Sequence, residues 1–212
     1  MYWLVRTFTS SIGKKMVMAI TGLMFCSFLL VHLIGNLTIY GGKDLFIAYV
    51  DHLHSYGPLI TLAELVLLML ALTHICMGAI LFYQNLRARP VRYAVKKSGG
   101  GRTFASATIP YTGLIILAFI ILHLITFRFV DKTEVNDFQI LTTTFAQPWY
   151  VVFYVFVVIV AAFHVRHGLW SAFQSLGANH PKYMLVIQGA SLIFSLIVAA
   201  GFASIPIILS SS

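Results

Sequence analysis

Five long stretches of apolar residues, separated by short segments that hold almost all of the charge, dominate the pattern along this chain. A helix needs about 20 apolar residues to cross the hydrocarbon core of a bilayer, and each stretch is at least that long. The pattern therefore predicts a single all-α membrane domain over residues 1–212. Its five transmembrane helices are expected at about Lys15–Tyr40, Pro58–Leu86, Ser106–Phe129, Pro148–Gln174 and Tyr183–Leu209.

The composition excludes a soluble globular domain, because 59% of the 212 residues are hydrophobic and only 9% are charged. The first apolar stretch is long enough to span, and no small-residue cleavage site follows a short apolar region. We therefore expect no removable signal peptide and a first span that stays in the mature protein.

The charged residues predict the orientation of the spans through the positive-inside rule. Basic side chains concentrate at one face of the predicted bundle, which holds eleven of the 14: Arg6, Lys14, Lys15, Arg87, Arg89, Arg92, Lys96, Lys97, Arg102, Arg166 and Lys182. The six acids lie in or just past the two loops at the other face: Asp44, Asp51, Glu64, Asp131, Glu134 and Asp137. This distribution predicts a cytoplasmic N-terminus and an external C-terminus.

The net charge of +8 is explained by this topology. It does not indicate a nucleic-acid partner, because the basic residues are juxtamembrane and no nucleic-acid-binding module accompanies them. The longest cytoplasmic loop, at about Arg87–Ala105, contains a Ser-Gly-Gly-Gly run that favours flexibility. Two interpretations stay open for this loop, either docking of a partner protein or anchoring of the topology at the lipid headgroups.

Four histidines lie one each in the first four predicted spans, namely His32, His74, His123 and His164. An imidazole inside a bilayer needs a partner. At a rise of about 1.5 Å per residue, His32 and His123 come near the outer face and His74 and His164 near the inner face, on levels about 15 to 20 Å apart. This spacing predicts an outer and an inner pair that suit two haems stacked along the membrane normal.

Ligation by two histidines leaves no open position on the iron, so it favours electron transfer over oxygen binding or activation. Cys26 and Cys76 fall inside apolar stretches and the chain has no CxxCH motif, which argues against covalent haem attachment and a thiolate metal centre. His167, one turn after His164, competes with it as a ligand. His167 is otherwise a candidate for contact with a haem propionate, as are Arg6, Lys14 and Arg166.

Two segments resemble a known family. Residues 11–23, SIGKKMVMAITGL, followed by HLIGNL at residues 32–37, resemble the first helix of the di-haem cytochrome b subunit that anchors succinate dehydrogenase and fumarate reductase. Residues 164–174, HVRHGLWSAFQ, resemble its fourth helix. The five spans and the placement of the histidines extend the resemblance over nearly the whole chain.

The resemblance implies a succinate:quinone oxidoreductase of a bacterial cytoplasmic membrane. A flavoprotein subunit and an iron-sulfur subunit on the cytoplasmic side would interconvert succinate and fumarate. This chain would do no carboxylate chemistry and would pass electrons to or from a quinone, usually menaquinone in the five-helix form. It would hold two haem b groups, the inner one on His74 and His164 and the outer one on His32 and His123.

The resemblance also implies a quinone site near the outer haem, where the available ionisable groups are Asp51, His52, His54 and Glu64. Glu64 lies about 9 Å into its span, at a depth where an acid is costly. Two roles stay open for it, either a quinone or proton-transfer role or that of a carboxylate reaching back to water at the outer face.

Two other functions remain open from the residues alone. One is a free-standing transmembrane haem b electron carrier, and the other is a small transporter whose buried histidines relay protons. The fifth span has no histidine, so we expect it to pack at the periphery of the bundle.

Overall fold

The computed structural model describes residues 6–7, 9–88 and 104–211, and of residues 104–106 the backbone alone. Most of the predicted basic loop lies outside the described residues. Within the described ranges the regular elements are all helices: α1 Ser11–Leu37, α2 Lys43–Ser55, α3 Pro58–Arg87, α4 Phe104–His123, α5 Asp137–Phe145, α6 Pro148–Ser175 and α7 Pro181–Leu209.

Five of these helices, α1, α3, α4, α6 and α7, are long and apolar enough to cross a membrane. This confirms the prediction of an all-α chain with five such helices. A 3₁₀ turn, Thr38–Gly41, extends α1, and a π-helical turn, Leu124–Arg128, extends α4.

The starts of the long helices follow from local sequence signals. The Ser10 hydroxyl accepts the N–H of Gly13 at 3.0 Å and caps α1, which therefore begins at Ser11 and includes the two lysines that follow. Three of the other long helices begin with a proline, whose missing N–H costs nothing at the first helical position. These prolines are Pro58, Pro148 and Pro181.

The helices run alternately up and down. We call the end of the bundle that carries Lys14, Arg87 and Lys182 the basic end. The opposite end, with Asp44 and Asp131, is the acidic end. The first of the four spans, α1, packs against α3 and α6, and α4 packs against α6, whereas α3 and α4 meet only weakly. No residue of α3 is fully buried, and most of its apolar side chains outside the contact with α1 are exposed, as in a lipid-facing helix.

The two short helices lie at the acidic end, in segments that the sequence analysis treated as loops. A capping box starts α5, in which Asn136 Oδ1 accepts the N–H of Gln139 at 2.9 Å and Gln139 Oε1 accepts the N–H of Asn136 at 3.0 Å. Phe46 of α2 packs against Phe138 of α5, with ring centroids 6.3 Å apart. Both helices cover a buried apolar cluster of Ile39, Phe46, Phe145, Tyr154 and Ile205.

Helix α7, the fifth long helix, packs mainly against α6 and also contacts α1. The Tyr40 hydroxyl donates to Ser204 Oγ at 2.6 Å. Gly201 packs against Leu33, which is only 2% exposed, and Phe202 lies against the ring of His32 with centroids 5.6 Å apart. Helix α7 therefore closes one side of the surroundings of His32.

The Gly201 contact predicts a loss of stability on enlargement. A Cβ there would lie 2.6 Å from Leu33 Cδ1, and the buried Leu33 side chain has little room to move. We expect Gly201→Leu to lower the free energy of unfolding by about 1–3 kcal/mol, the usual cost of overpacking. Thermal unfolding in detergent measures this. Gly189→Leu on the same helix is the control, since nothing lies within 4 Å of a Cβ at Gly189, and equal melting temperatures would contradict the packing.

Candidate functional site

The bundle places the four histidines of the spans at two levels. His74 on α3 lies against Thr21 of α1, and His164 on α6 lies against Thr112 of α4. His32 on α1 and His123 on α4 lie with ring centroids 6.0 Å apart and ring planes at 89°. The first pair is nearer the basic end, and the second lies under the short helices of the acidic end.

A threonine on the neighbouring helix holds His74. Its Nδ1 lies 3.0 Å from Thr21 Oγ1, and that hydroxyl also lies 2.8 Å from the carbonyl oxygen of Val17 and 3.1 Å from that of Met18. Donation to a carbonyl leaves the Thr21 hydroxyl able to accept from an N–H at His74 Nδ1, and this tautomer turns every one of these contacts into a hydrogen bond. This tautomer leaves Nε2 of His74 unprotonated, with a lone pair free for a metal ion.

His164 is held in the same way by a threonine of α4. Its Nδ1 lies 3.0 Å from Thr112 Oγ1, and the Thr112 hydroxyl donates to the carbonyl of Ile109 at 3.0 Å. His164 Nε2 is therefore also free to bind a metal ion.

A glycine follows each of these threonines. A Cβ at Gly22 would lie 3.4 Å from Cε1 of His74, and a Cβ at Gly113 would lie 3.5 Å from Cε1 of His164. The two helices thus present the same Thr-Gly step to the two rings, and the absent side chains leave space beside each imidazole.

The sequence analysis missed Thr21, Gly22, Thr112 and Gly113, although a signal for them exists. The tripeptide Thr-Gly-Leu occurs at 21–23 and again at 112–114, in each case eleven residues before a histidine, His32 or His123. This repeat relates α1 to α4. The shared step of sixteen residues from Pro58 to His74 and from Pro148 to His164 relates α3 to α6 in the same way.

The His32 and His123 pair has an aromatic environment. The ring of Phe28 stacks on His32 with centroids 5.2 Å apart, and Phe119 and Phe127 lie 5.6 and 5.3 Å from His123. The Nδ1 contacts of this pair are long, 3.4 Å from His32 to Asn36 Nδ2 and 3.5 Å from His123 to the Tyr154 hydroxyl. Both distances exceed those of ordinary hydrogen bonds.

Two features of the histidine pairs fit the binding of haem iron. Imidazole nitrogens on opposite sides of one metal ion, at bonds of about 2.0 Å, place their ring centroids about 6 Å apart, which is the separation of His32 and His123. With Nδ1–H donated to the threonines, His74 and His164 present unprotonated Nε2 atoms, the form of histidine that binds a metal. Two imidazoles are thus available as ligands at each level.

His167 stands apart from this arrangement. Its Nδ1 is the one buried side-chain nitrogen or oxygen without a hydrogen-bond partner among the residues that the structure describes. Its ring packs edge-on against Trp170, with centroids 5.0 Å apart. Among the other candidates for a propionate contact, Lys14 is half-buried in the first turn of α1, whereas Arg6 and Arg166 are exposed.

The candidate quinone residues divide into two groups. Asp51, His52 and His54 lie exposed on α2, where the Tyr56 hydroxyl is 3.2 Å from His52 Nε2. Glu64 lies on α3 and pairs with Arg128 through two contacts, Nε to Oε1 at 2.7 Å and Nη2 to Oε2 at 3.0 Å. Arg128 is a residue that the sequence analysis did not consider for the site.

The ion pair of Glu64 and Arg128 joins α3 to the π-helical turn that follows His123. Both side chains remain substantially exposed, 41% for Glu64 and 53% for Arg128. The bidentate geometry neutralises an acid within a long apolar helix, and it links two spans that pack only weakly against each other.

Comparison of the chain with the models of known protein families, with curated proteins and with solved structures gave no match. The family resemblance therefore depends on the two sequence segments quoted above, with the five spans and the placement of the histidines along the chain.

Proposed function

We propose that this chain is the di-haem cytochrome b membrane anchor of a succinate:quinone oxidoreductase, a succinate dehydrogenase or fumarate reductase. It would carry electrons between an iron-sulfur subunit and a quinone. The observation that carries the proposal is the matched setting of His74 and His164, each with Nδ1 at 3.0 Å from a threonine hydroxyl and Nε2 left for iron. Proton-relay histidines have no need of this fixed tautomer.

The residues have distinct tasks in this proposal. His74 and His164 would hold one haem b, and His32 and His123 the other. Bound haem would supply reversible one-electron transfer between ferric and ferrous iron. Thr21 and Thr112 orient the first pair of imidazoles, while the aromatic rings around His32 and His123 exclude water from the second pair.

The distribution of charge supports an orientation with the basic end in the cytoplasm and the C-terminus outside. His74 and His164 would then form the inner site, on the side where the flavoprotein and iron-sulfur subunits dock. The acidic end would face outward in a bacterial cytoplasmic membrane. The exposed groups Asp51, His52 and His54 on α2 would be available there to a quinone such as menaquinone.

The deciding experiment is optical. We expect the purified protein to give a reduced-minus-oxidised spectrum of haem b and a pyridine haemochrome content of two haems per chain. A chain purified from a haem-sufficient membrane without such a spectrum would overturn the proposal and favour a transporter.

A second measurement separates the anchor from a free-standing carrier. We expect mild detergent extraction to co-purify one subunit with flavin and one with iron-sulfur clusters. A di-haem chain that purifies alone at full haem content, from membranes that retain succinate dehydrogenase activity in another fraction, would contradict the anchor role.

A further inference from the structure

We propose that Thr21 and Thr112 are positioning residues that set the reduction potential of the haem on His74 and His164. The inference rests on the proposed function, and it assigns a task to two residues that do not themselves bind iron. Each hydroxyl would act through the imidazole it contacts.

Each threonine hydroxyl has one proton and more than one neighbour that could accept it. Thr21 Oγ1 contacts two backbone carbonyls of its own helix, and Thr112 Oγ1 contacts one. Donation to a carbonyl leaves each oxygen to accept a proton from Nδ1–H of the histidine, and this is the arrangement in which the carbonyl and ring contacts are all hydrogen bonds.

The threonine hydroxyls make more than local contacts within their own helices. Threonine in an apolar helix commonly donates to the carbonyl three or four residues earlier, which accounts for the carbonyl contacts alone. The contacts to the rings join residues on different helices, 53 and 52 positions apart in the chain. Thr21 is only 5% exposed, so water does not replace its ring contact.

His32 and His123 lack a comparable hydrogen-bond acceptor at Nδ1. Asn36 Nδ2, which lies 3.4 Å from His32 Nδ1, is a donor and already binds the carbonyl of His32 at 2.8 Å. The Tyr154 hydroxyl is 3.5 Å from His123 Nδ1. Neither group accepts a proton from its histidine as closely as the threonines do. The effect of the threonines on the reduction potential should therefore be confined to one of the two haems.

A hydrogen bond from Nδ1 to a threonine should change the reduction potential of the haem in one direction only. An imidazole that donates from Nδ1 to an acceptor becomes a more basic ligand at Nε2. A more basic ligand stabilises ferric iron over ferrous iron and lowers the reduction potential. Loss of either hydroxyl should therefore raise the potential of the haem on His74 and His164.

The test is potentiometric, with Thr21→Val, Thr112→Val and the double variant in the complete membrane complex. We expect two midpoint potentials in the wild type. One of them should shift upward in each single variant and further in the double variant, while the other stays fixed. Low-spin ferric EPR signals should change for the same haem only. If a valine variant loses that haem, Thr21→Ala or Thr112→Ala, which adds no bulk, is titrated in its place.

Two controls separate the hydrogen bond from packing. Thr21→Ser and Thr112→Ser keep the hydroxyl and should keep the wild-type potential. Thr73→Val removes a hydroxyl next to His74 that donates to the carbonyl of Met69 at 2.7 Å, and it should shift neither potential. Unchanged or lowered potentials in variants that keep both haems would overturn the inference while the proposed function stands. A wild-type complex without haem b would overturn the proposed function itself.

Discussion

Replacement of His164 by alanine should reduce the haem content from two per chain to one, whereas replacement of His167 by alanine should leave two. His164 has its Nδ1 fixed by Thr112 and its Nε2 free. His167 has no hydroxyl to orient it, and its ring lies against Trp170. Its unpartnered Nδ1 suits a haem propionate better than iron, because one polar contact would satisfy it.

The measurement is pyridine haemochrome per mole of protein, with potentiometry to identify the haem that is lost. His74→Ala is the matched variant, since it removes the opposite ligand and should eliminate the same midpoint potential as His164→Ala. Retention of two haems by His164→Ala, or loss of one by His167→Ala alone, would show that the ligand is assigned to the wrong histidine.

Gly22→Leu and Gly113→Leu should each remove that same haem. A Cβ at either position already touches Cε1 of the adjacent histidine, at 3.4 and 3.5 Å. The remaining three carbons of leucine would fill the space beside the imidazole and push the ring from its place, since packed interiors accommodate added methylene groups poorly. We expect the haem content to fall to about one per chain, an effect comparable to loss of a ligand.

Gly189→Leu on α7 is the control, because open space surrounds a Cβ at that position. It should keep two haems. The two glycines lie on different helices and contact different histidines. The most informative result is therefore which of the two haem midpoint potentials is lost in each glycine variant. Loss of different haems in Gly22→Leu and Gly113→Leu would contradict the pairing of His74 with His164.

The five long helices could be predicted because apolar length alone determines them. The first prediction began α1 at Lys15, where charge stops, but helix starts are set by capping, and the Ser10 hydroxyl starts it at Ser11. Helices α2 and α5 were missed because they are short and only half apolar. The capping box of Asn136 and Gln139 was a readable signal for α5.

The geometry of the site was only partly readable from the sequence. Depth along each helix follows from counting residues, so the levels of the four histidines could be predicted. Rotation about each helix axis does not follow from counting. The contact of Thr21 with His74 and the ion pair of Glu64 with Arg128 both depend on that rotation, and each joins residues more than 50 positions apart.

The repeated Thr-Gly-Leu segments divide the site between two helical hairpins. One hairpin, α1 with α3, holds His32, His74 and the threonine that orients His74. The other, α4 with α6, holds the remaining two histidines and the other threonine. Each hairpin thus provides one histidine at each of the two levels, and neither hairpin alone forms a complete pair. Under the proposed function, haem would add a second link between the two halves, beside the packing of α1 against α6. Because a ligand that binds only the assembled form stabilises it by mass action, the stability of this chain would rise with the supply of haem.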